Sequence, residues 1–337
     1  MTTCPGCSAA LAEGTLDCPR CHTLVHRDLL AQLRARAVAA TAPSEALAAW
    51  REAQDLLPPG SRQYSQVGER IQALSAQLDG AAPAPPPDAA AAQAKRRGWL
   101  GSGVLVGAGL LWKFKTVGLL LASKLKFLAM GFTKLPTLLS MFSAVGVYAL
   151  LWGWKFALGF VLCIYVHEIG HVFALARYGI KASAPMFIPG FGAFVRLKQA
   201  PANNREDARV GIAGPVWGTG AALVCLAIGN AADSGLFMAL ARTAAWINLF
   251  NLVPVASLDG GRAFRAMSRS DRLVVAGATL TGGLMTHDPL SILIGLVALG
   301  VAAFRPGATE RDGFTVLVYG LLGFGLPFLA TIEVPGM

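Results

Sequence analysis

The sequence predicts an all-α polytopic membrane protein preceded by a small soluble head. Three observations lead there. Hydrophobic residues make up 54% of the 337 and charged residues only 14%, with a mean hydropathy of +0.53, whereas soluble domains average about 25% charged residues. The apolar residues are also unevenly spread. Residues 1–98 carry ten Lys/Arg and nine Asp/Glu, while residues 99–337 carry nineteen and ten and are otherwise dominated by Leu, Ala, Val, Gly, Phe and Trp. Finally, the net charge of +10 falls almost wholly in the apolar part, in short basic clusters between hydrophobic runs. Loops retained on the cytoplasmic side of a membrane carry charge in this way. A soluble enzyme, a disordered regulator and a secreted disulfide scaffold are excluded, and no nucleic-acid partner is expected.

The opening residues MTTCPGCSAALAEG show neither a basic n-region nor an apolar h-region, so the head is expected to stay in the cytoplasm of a bacterial cell, where thiols remain reduced. Within it, Cys4, Cys7, Cys18 and Cys21 form two C-x-x-C knuckles separated by ten residues. That spacing brings four thiolates within tetrahedral reach of one Zn2+, and residues 1–26 read as a zinc ribbon. A Cys4 site leaves no open position, so this zinc is structural. Cys18 to His22 also spells the C-x-x-C-H of haem attachment, but that reading leaves Cys4 and Cys7 without a role.

Residues 27–79 have helical spacing throughout, with Leu29, Leu30 and Leu33, then Ala46, Ala49, Trp50 and Ala53, then Val67, Ile71 and Leu74. They read as a helical hairpin, weakly like one tetratricopeptide unit, too little for an array. A Pro/Ala linker at 80–98 ends in Lys95-Arg96-Arg97, which marks membrane entry from the cytoplasmic side. The head so separated is expected to be a docking or regulatory module for a cytoplasmic partner.

Residues 99–337 form the membrane domain. Its apolar runs imply about six spans in a lipid bilayer, several runs being shorter than the roughly 20 residues a crossing needs. The lysine-studded stretch 113–134 is the least regular of them. Between two spans, Pro189-Gly190 followed by the alternating Phe194–Lys198 predicts a short membrane-associated β-hairpin or loop. Cys163 and Cys225 read as small core residues. Arg262, Arg265, Arg269 and Arg272 follow a 3-4-3 spacing that predicts one helical face against lipid headgroups.

The chemistry lies in His167-Glu168-Ile169-Gly170-His171. On a helix the two histidines share a face and can bind one Zn2+, while Glu168 is placed to serve a water as general base. Three ionisable groups in a span otherwise uncharged from Phe156 to Ala176 are costly unless functional. By helix rise, His167 lies roughly 18 Å from Lys155 and His171 roughly 9 Å from Arg177, so the metal is expected within the bilayer and nearer the cytoplasmic face. Zinc needs a further protein ligand, and the strongest candidate is Asp259 on a Gly-rich turn.

With these residues the sequence resembles the site-2 protease family of intramembrane zinc metalloproteases, which pairs H-E-x-x-H with a later N-x-x-P…L-D-G segment. Asn251-Leu-Val-Pro254 and Leu258-Asp259-Gly260 match that segment, and Gly211-Ile-Ala-Gly214-Pro215 matches the family's glycine motif. The resemblance covers about residues 140–265 and includes no PDZ insertion. It implies that His167, His171 and Asp259 hold a catalytic zinc. It further implies that Glu168 is the catalytic base and that Asn251 contacts substrate or the oxyanion. The implied function is endoproteolysis within or beside a transmembrane helix of a membrane-protein substrate. The alternative is a non-enzymatic membrane metal-binding protein, a transporter or scaffold, which would keep the histidines but has no need of Glu168.

Overall fold

The computed structural model describes residues 2–80, 135–190, 192–255, 258–309 and 311–335. The linker beyond Gly80 and the apolar runs between 99 and 134 lie outside the described residues.

In the ribbon, strand β1 (Thr2–Thr3) pairs antiparallel with β2 (Ala10–Leu11). The two knuckles repeat one geometry. Ser8 N–H donates to the Cys4 carbonyl and His22 N–H to the Cys18 carbonyl, and Ser8 and His22 both take positive φ, 57° and 56°. Each knuckle is thereby a closed turn that directs both its sulfurs to one side.

Three helices follow, not the two of a hairpin: α1 (Arg27–Ala39), α2 (Pro43–Asp55) and α3 (Arg62–Leu78). Two signals divide the segment. Pro43 begins α2, where a missing N–H costs nothing, and Ser61 caps α3 by accepting from Tyr64 N–H at 3.1 Å. Leu33, Leu47, Trp50, Leu57 and Ile71 form their shared core.

Beyond residue 134 come α4 (Leu135–Trp152) and α5 (Trp154–Arg177), joined at Gly153, whose φ of 81° turns the chain between them. The hairpin β3 (Met186–Ile188) and β4 (Gly192–Phe194) follows. Then come α6 (Asn204–Ala231), α7 (Gly235–Asn251), the short α8 (Asp259–Phe264), α9 (Arg269–Thr286), α10 (Pro289–Phe304) and α11 (Gly313–Ala330). Among the described residues, α4, α5, α6 and α11 are long and apolar enough to cross a membrane, and α10 is apolar but shorter. Of these four spans α5 is the interior one, with 72% of its apolar window buried against 22–39% for the others. It packs on α4, α6 and α7, so whatever it carries is screened from lipid.

Two details differ from the sequence reading. The second hairpin strand is Gly192–Phe194, with Met186 opposite Phe194 and Ile188 opposite Gly192. Beyond it, residues 196–198 pair only through the Ala182↔Leu197 bridge and its flanking bonds. The turn at Pro189-Gly190 sets the register from its own end, so the ladder starts earlier than the alternation suggests. The four arginines share no helical face either, because a capping box of Ser268 and Asp271 starts a new helix between them. Arg262 and Arg265 pair with Asp207, and Arg272 is buried, donating to the carbonyls of Phe264, Arg305 and Pro306. It ties α8 to the end of α10 instead of facing headgroups.

The head is bonded directly to the membrane domain. Arg51 of α2 is 4% exposed, and its Nη2 donates to both carboxylate oxygens of Glu206, itself 0% exposed, at 3.0 and 2.7 Å. It also donates to the Tyr178 and Ala200 carbonyls. Arg177 donates to the Leu78 carbonyl, and Asp79 accepts from Tyr178 Oη and from Arg209. Arg209 also binds Asp312, the residue before α11. Removing one member of a buried ion pair leaves the other uncompensated, at a cost of about 3–5 kcal/mol. Arg51→Ala is therefore expected to undock the head, read as faster amide hydrogen exchange at Leu47–Ala53 and at the start of α6; unchanged exchange there would show that the pair does not hold the interface.

Candidate metal centre

Helix α5 presents His167, Glu168 and His171 at its inner face, and all three are buried. Asp259 opens α8 and is 8% exposed. The chain returns it to α5 because α7 ends at Asn251 and the turn after it is tied down, Tyr319 of α11 donating its hydroxyl to the Leu252 carbonyl. His167 Nε2 lies 3.1 Å and His171 Nε2 3.3 Å from Asp259 Oδ2, and the two Nε2 atoms are 3.2 Å apart. One donor atom from each of the three residues thus lies within 4.8 Å of the other two.

The other ring nitrogens are engaged. His167 Nδ1 lies 2.8 Å from Asn248 Oδ1, and His171 Nδ1 lies 2.8 Å from the Val210 carbonyl. Both partners accept, so both imidazoles hold their proton on Nδ1 and turn the Nε2 lone pair inward, as neutral metal ligands require. Asn248 is oriented in turn by donating Nδ2–H to the Ala244 carbonyl at 2.7 Å. Glu168 and Asp259 add two carboxyl groups to the two imidazoles of this buried cluster. These ligand types and their orientation fit zinc.

Helix α6 leaves the room. A Cβ at Gly214 would fall on the Nε2 atoms of both histidines, and one at Gly218 would overlap the Asn248 amide. Glycine at these two positions lets α6 close over the site while the ligands keep their places.

A cavity of about 620 Å3 opens onto the cluster. His167, Glu168, His171 and Asp259 line it, as does Asn251, whose side chain is half-buried. The residues singled out in the sequence therefore meet at one place. Asn248 was not among them, although its position one turn before Asn251 in an apolar helix was a signal: a fully buried amide in a membrane protein needs a polar partner. In the head, the four cysteines meet as expected. Cys4 and Cys21 Sγ are 3.5 Å apart, Cys7 and Cys18 Sγ 3.7 Å. The Thr23 hydroxyl and backbone beside Cys21 draw its thiol down to about 6, toward the thiolate form in which cysteine binds metal.

Residues 155–232, which include α5 from its second residue and the glycines of α6, match the model of peptidase family M50. A zinc metalloprotease of Methanocaldococcus jannaschii is 31% identical over 124 residues, 35% of this chain and 35% of that protein. A probable chloroplastic zinc metalloprotease of Arabidopsis thaliana is 27% identical over 169 residues, 37% of this chain and 30% of its own length. Its counterpart in Oryza sativa subsp. japonica is 27% identical over 146 residues, 30% of this chain and 27% of its own length. The chain spans about a third of the length of the curated relatives it matches. No solved structure matches it.

Partners behind metal ligands are worth about 10–100-fold in metal affinity. Asn248→Leu is expected to weaken zinc binding by that factor, measured by competition with a chelator, and Gly214→Ala to do so more severely because its new methyl group meets both ligands. Wild-type affinity in both variants would remove these residues from the site.

Proposed function

We propose that this chain, whose segment bearing His167, Glu168 and His171 matches the model of peptidase family M50, is an intramembrane zinc endopeptidase of the site-2 protease kind. On this reading it cuts a peptide bond within or beside a transmembrane helix of a membrane-protein substrate. One observation carries the reading. Two imidazole nitrogens and a carboxylate oxygen converge beside a second carboxylate, on a buried apolar helix and at the wall of a cavity.

His167, His171 and Asp259 would hold the metal, and zinc so bound supplies Lewis acidity toward a water and toward the carbonyl of the bond to be cut. Glu168 accepts the proton of that water as it attacks and returns it to the departing amine. Asn251, on the same cavity wall, donates its amide to the substrate backbone. The apolar shell of α5 keeps bulk water from competing. In the head, Cys4, Cys7, Cys18 and Cys21 would hold a second, structural zinc. Because the head is bonded to the C-terminal end of α5 and the start of α6, it is placed to let a cytoplasmic partner act on the metal helix.

Substrate presentation follows from the hairpin. A transmembrane helix has its backbone carbonyls bonded internally, so the cut bond must first be unwound. Residues Gly192, Ala193 and Phe194 of β4 line the cavity, while β3 packs on α4 with Phe187 N–H donating to Ser140 Oγ. The cavity side of β4 can add the unwound substrate as a strand.

Two outcomes test the enzyme. Glu168→Gln should abolish cleavage of co-expressed single-span membrane proteins while zinc stays near two per chain, whereas Asp259→Ala or Cys4→Ser should each lower it toward one. Cleavage by Glu168→Gln sinks the peptidase reading and favours the transporter or scaffold. For strand addition, Val195→Pro should slow cleavage without loss of zinc, and spans containing Gly, Pro or Asn near the cut should be preferred. Wild-type rates with Val195→Pro and equal cutting of a poly-Leu span would exclude it.

A further inference from the structure

Two sets of bonds link α5 to α6 on the same helical faces, one above the other. The inner bond runs from His171 Nδ1–H to the Val210 carbonyl, at 2.8 Å. The outer set belongs to the head. Arg51 donates Nε–H to the Tyr178 carbonyl, at the end of α5, and Nη2–H to Glu206, in the first turn of α6. Tyr178 follows His171 by seven residues and Glu206 precedes Val210 by four, so each pair shares a helical face, roughly 10 Å and 6 Å apart along the axes. The guanidinium fork is rigid, so one buried side chain fixes the gap between the two helix ends. There is little slack, because a Cβ at Gly179 would stand 2.5 Å from Ala48 N, which puts α2 directly against the chain leaving α5. Helix α6 depends on such a hold. Pro215 inside it deprives the Gly211 carbonyl of its helical partner, so residues 204–214 are joined to the rest by a weakened turn. Glu206, Arg209 and Val210 all lie in that segment, and the head grips it a second time where Arg209 donates to Asp79 at 2.6 Å.

We infer that Arg51 is a positioning residue for the metal site. By fixing the ends of α5 and α6 it keeps the Val210 carbonyl on His171, and with it the inward turn of His171 Nε2. This rests on the reading of His167, His171 and Asp259 as metal ligands. His167 stands outside this path, since its acceptor is Asn248 on α7. The coupling is therefore one-sided: undocking the head loosens one of the two imidazoles and leaves the other in place. Loss of a ligand's outer partner lowers metal affinity about 10–100-fold, so the state of the head sets how tightly the membrane site holds zinc.

The test reads the two imidazoles separately, by NMR of the zinc-loaded full chain labelled with 15N-histidine in detergent. Of the five histidines, His22, His26 and His287 are identified by substitution with Asn, and Asn248→Leu marks His167. Arg51→Ala should shift the His171 Nδ1–H resonance and speed its exchange with solvent, while the His167 resonance stays as in wild type. Zinc at the membrane site should then bind about tenfold more weakly in competition with a chelator, with the ribbon zinc retained. Arg51→Lys keeps the charge but not the fork. It should show the same changes in smaller measure, and it carries the test if Arg51→Ala fails to fold. The inference is overturned if both imidazoles respond alike, which is general loosening, or if zinc affinity at the membrane site is unchanged. It is equally overturned if His171 does not respond although amide exchange at the start of α6 shows the head released, or if Arg51→Ala leaves the head docked. A wild-type chain that holds only the ribbon zinc overturns the metal reading instead, and the imidazole signals remain readable.

Discussion

A buried imidazole has two nitrogens to satisfy, and most of this structure follows from doing so twice within an apolar helix. His167 and His171 turn Nε2 toward Asp259, so each Nδ1–H needs an acceptor that is dry, close and fixed. Asn248 on α7 and the Val210 carbonyl on α6 are those acceptors. Two further helices must therefore approach α5 closely, and they can do so only because α6 presents hydrogen atoms where side chains would stand. The interior position of α5 is a result of this arrangement. Without it, five polar groups would be left in a setting where each unsatisfied one costs several kcal/mol.

The same economy of partners appears at the edge that faces the head. Arg51, Arg177 and Arg209 join the head to the ends of α5, α6 and α11, and each bonds to backbone carbonyls or buried carboxylates instead of solvent-facing acids. Exposed ion pairs contribute little. Enclosed bidentate pairs fix geometry, because a displaced guanidinium leaves an acid uncompensated. The ends of the metal-bearing helices are thus held from outside the membrane domain.

Much of the site was legible in sequence because local chemistry announced it. A histidine pair one turn apart on an uncharged span, and knuckles of paired cysteines, have few other uses. The third member of the cluster was less open to reading: Asp259 lies 88 positions from His171, and only the resemblance joined them. Asn248 was passed over for a different reason. Its role depends on which helix lies opposite, and that is decided by glycine contacts between α5, α6 and α7 that no periodicity reveals. The arginine series erred in the opposite sense, since its regular spacing was real but a helix cap at Ser268 divided it. The strand after the hairpin turn was misplaced because alternation marks faces but not where pairing stops.

Asp79 is the last residue but one before the stretch that leads to α4, and it is held at the surface of α6 by Arg209 and Tyr178. Chain connectivity then makes the docked head an intramolecular ligand of the membrane domain. Its hold is set by effective concentration as much as by contact strength. Any protein that were to seize the head would have to outcompete a partner that never diffuses away, and only a tight or multivalent binder could do so. Once it is released, recapture needs no encounter in solution, so the head returns to its place as soon as such a binder leaves.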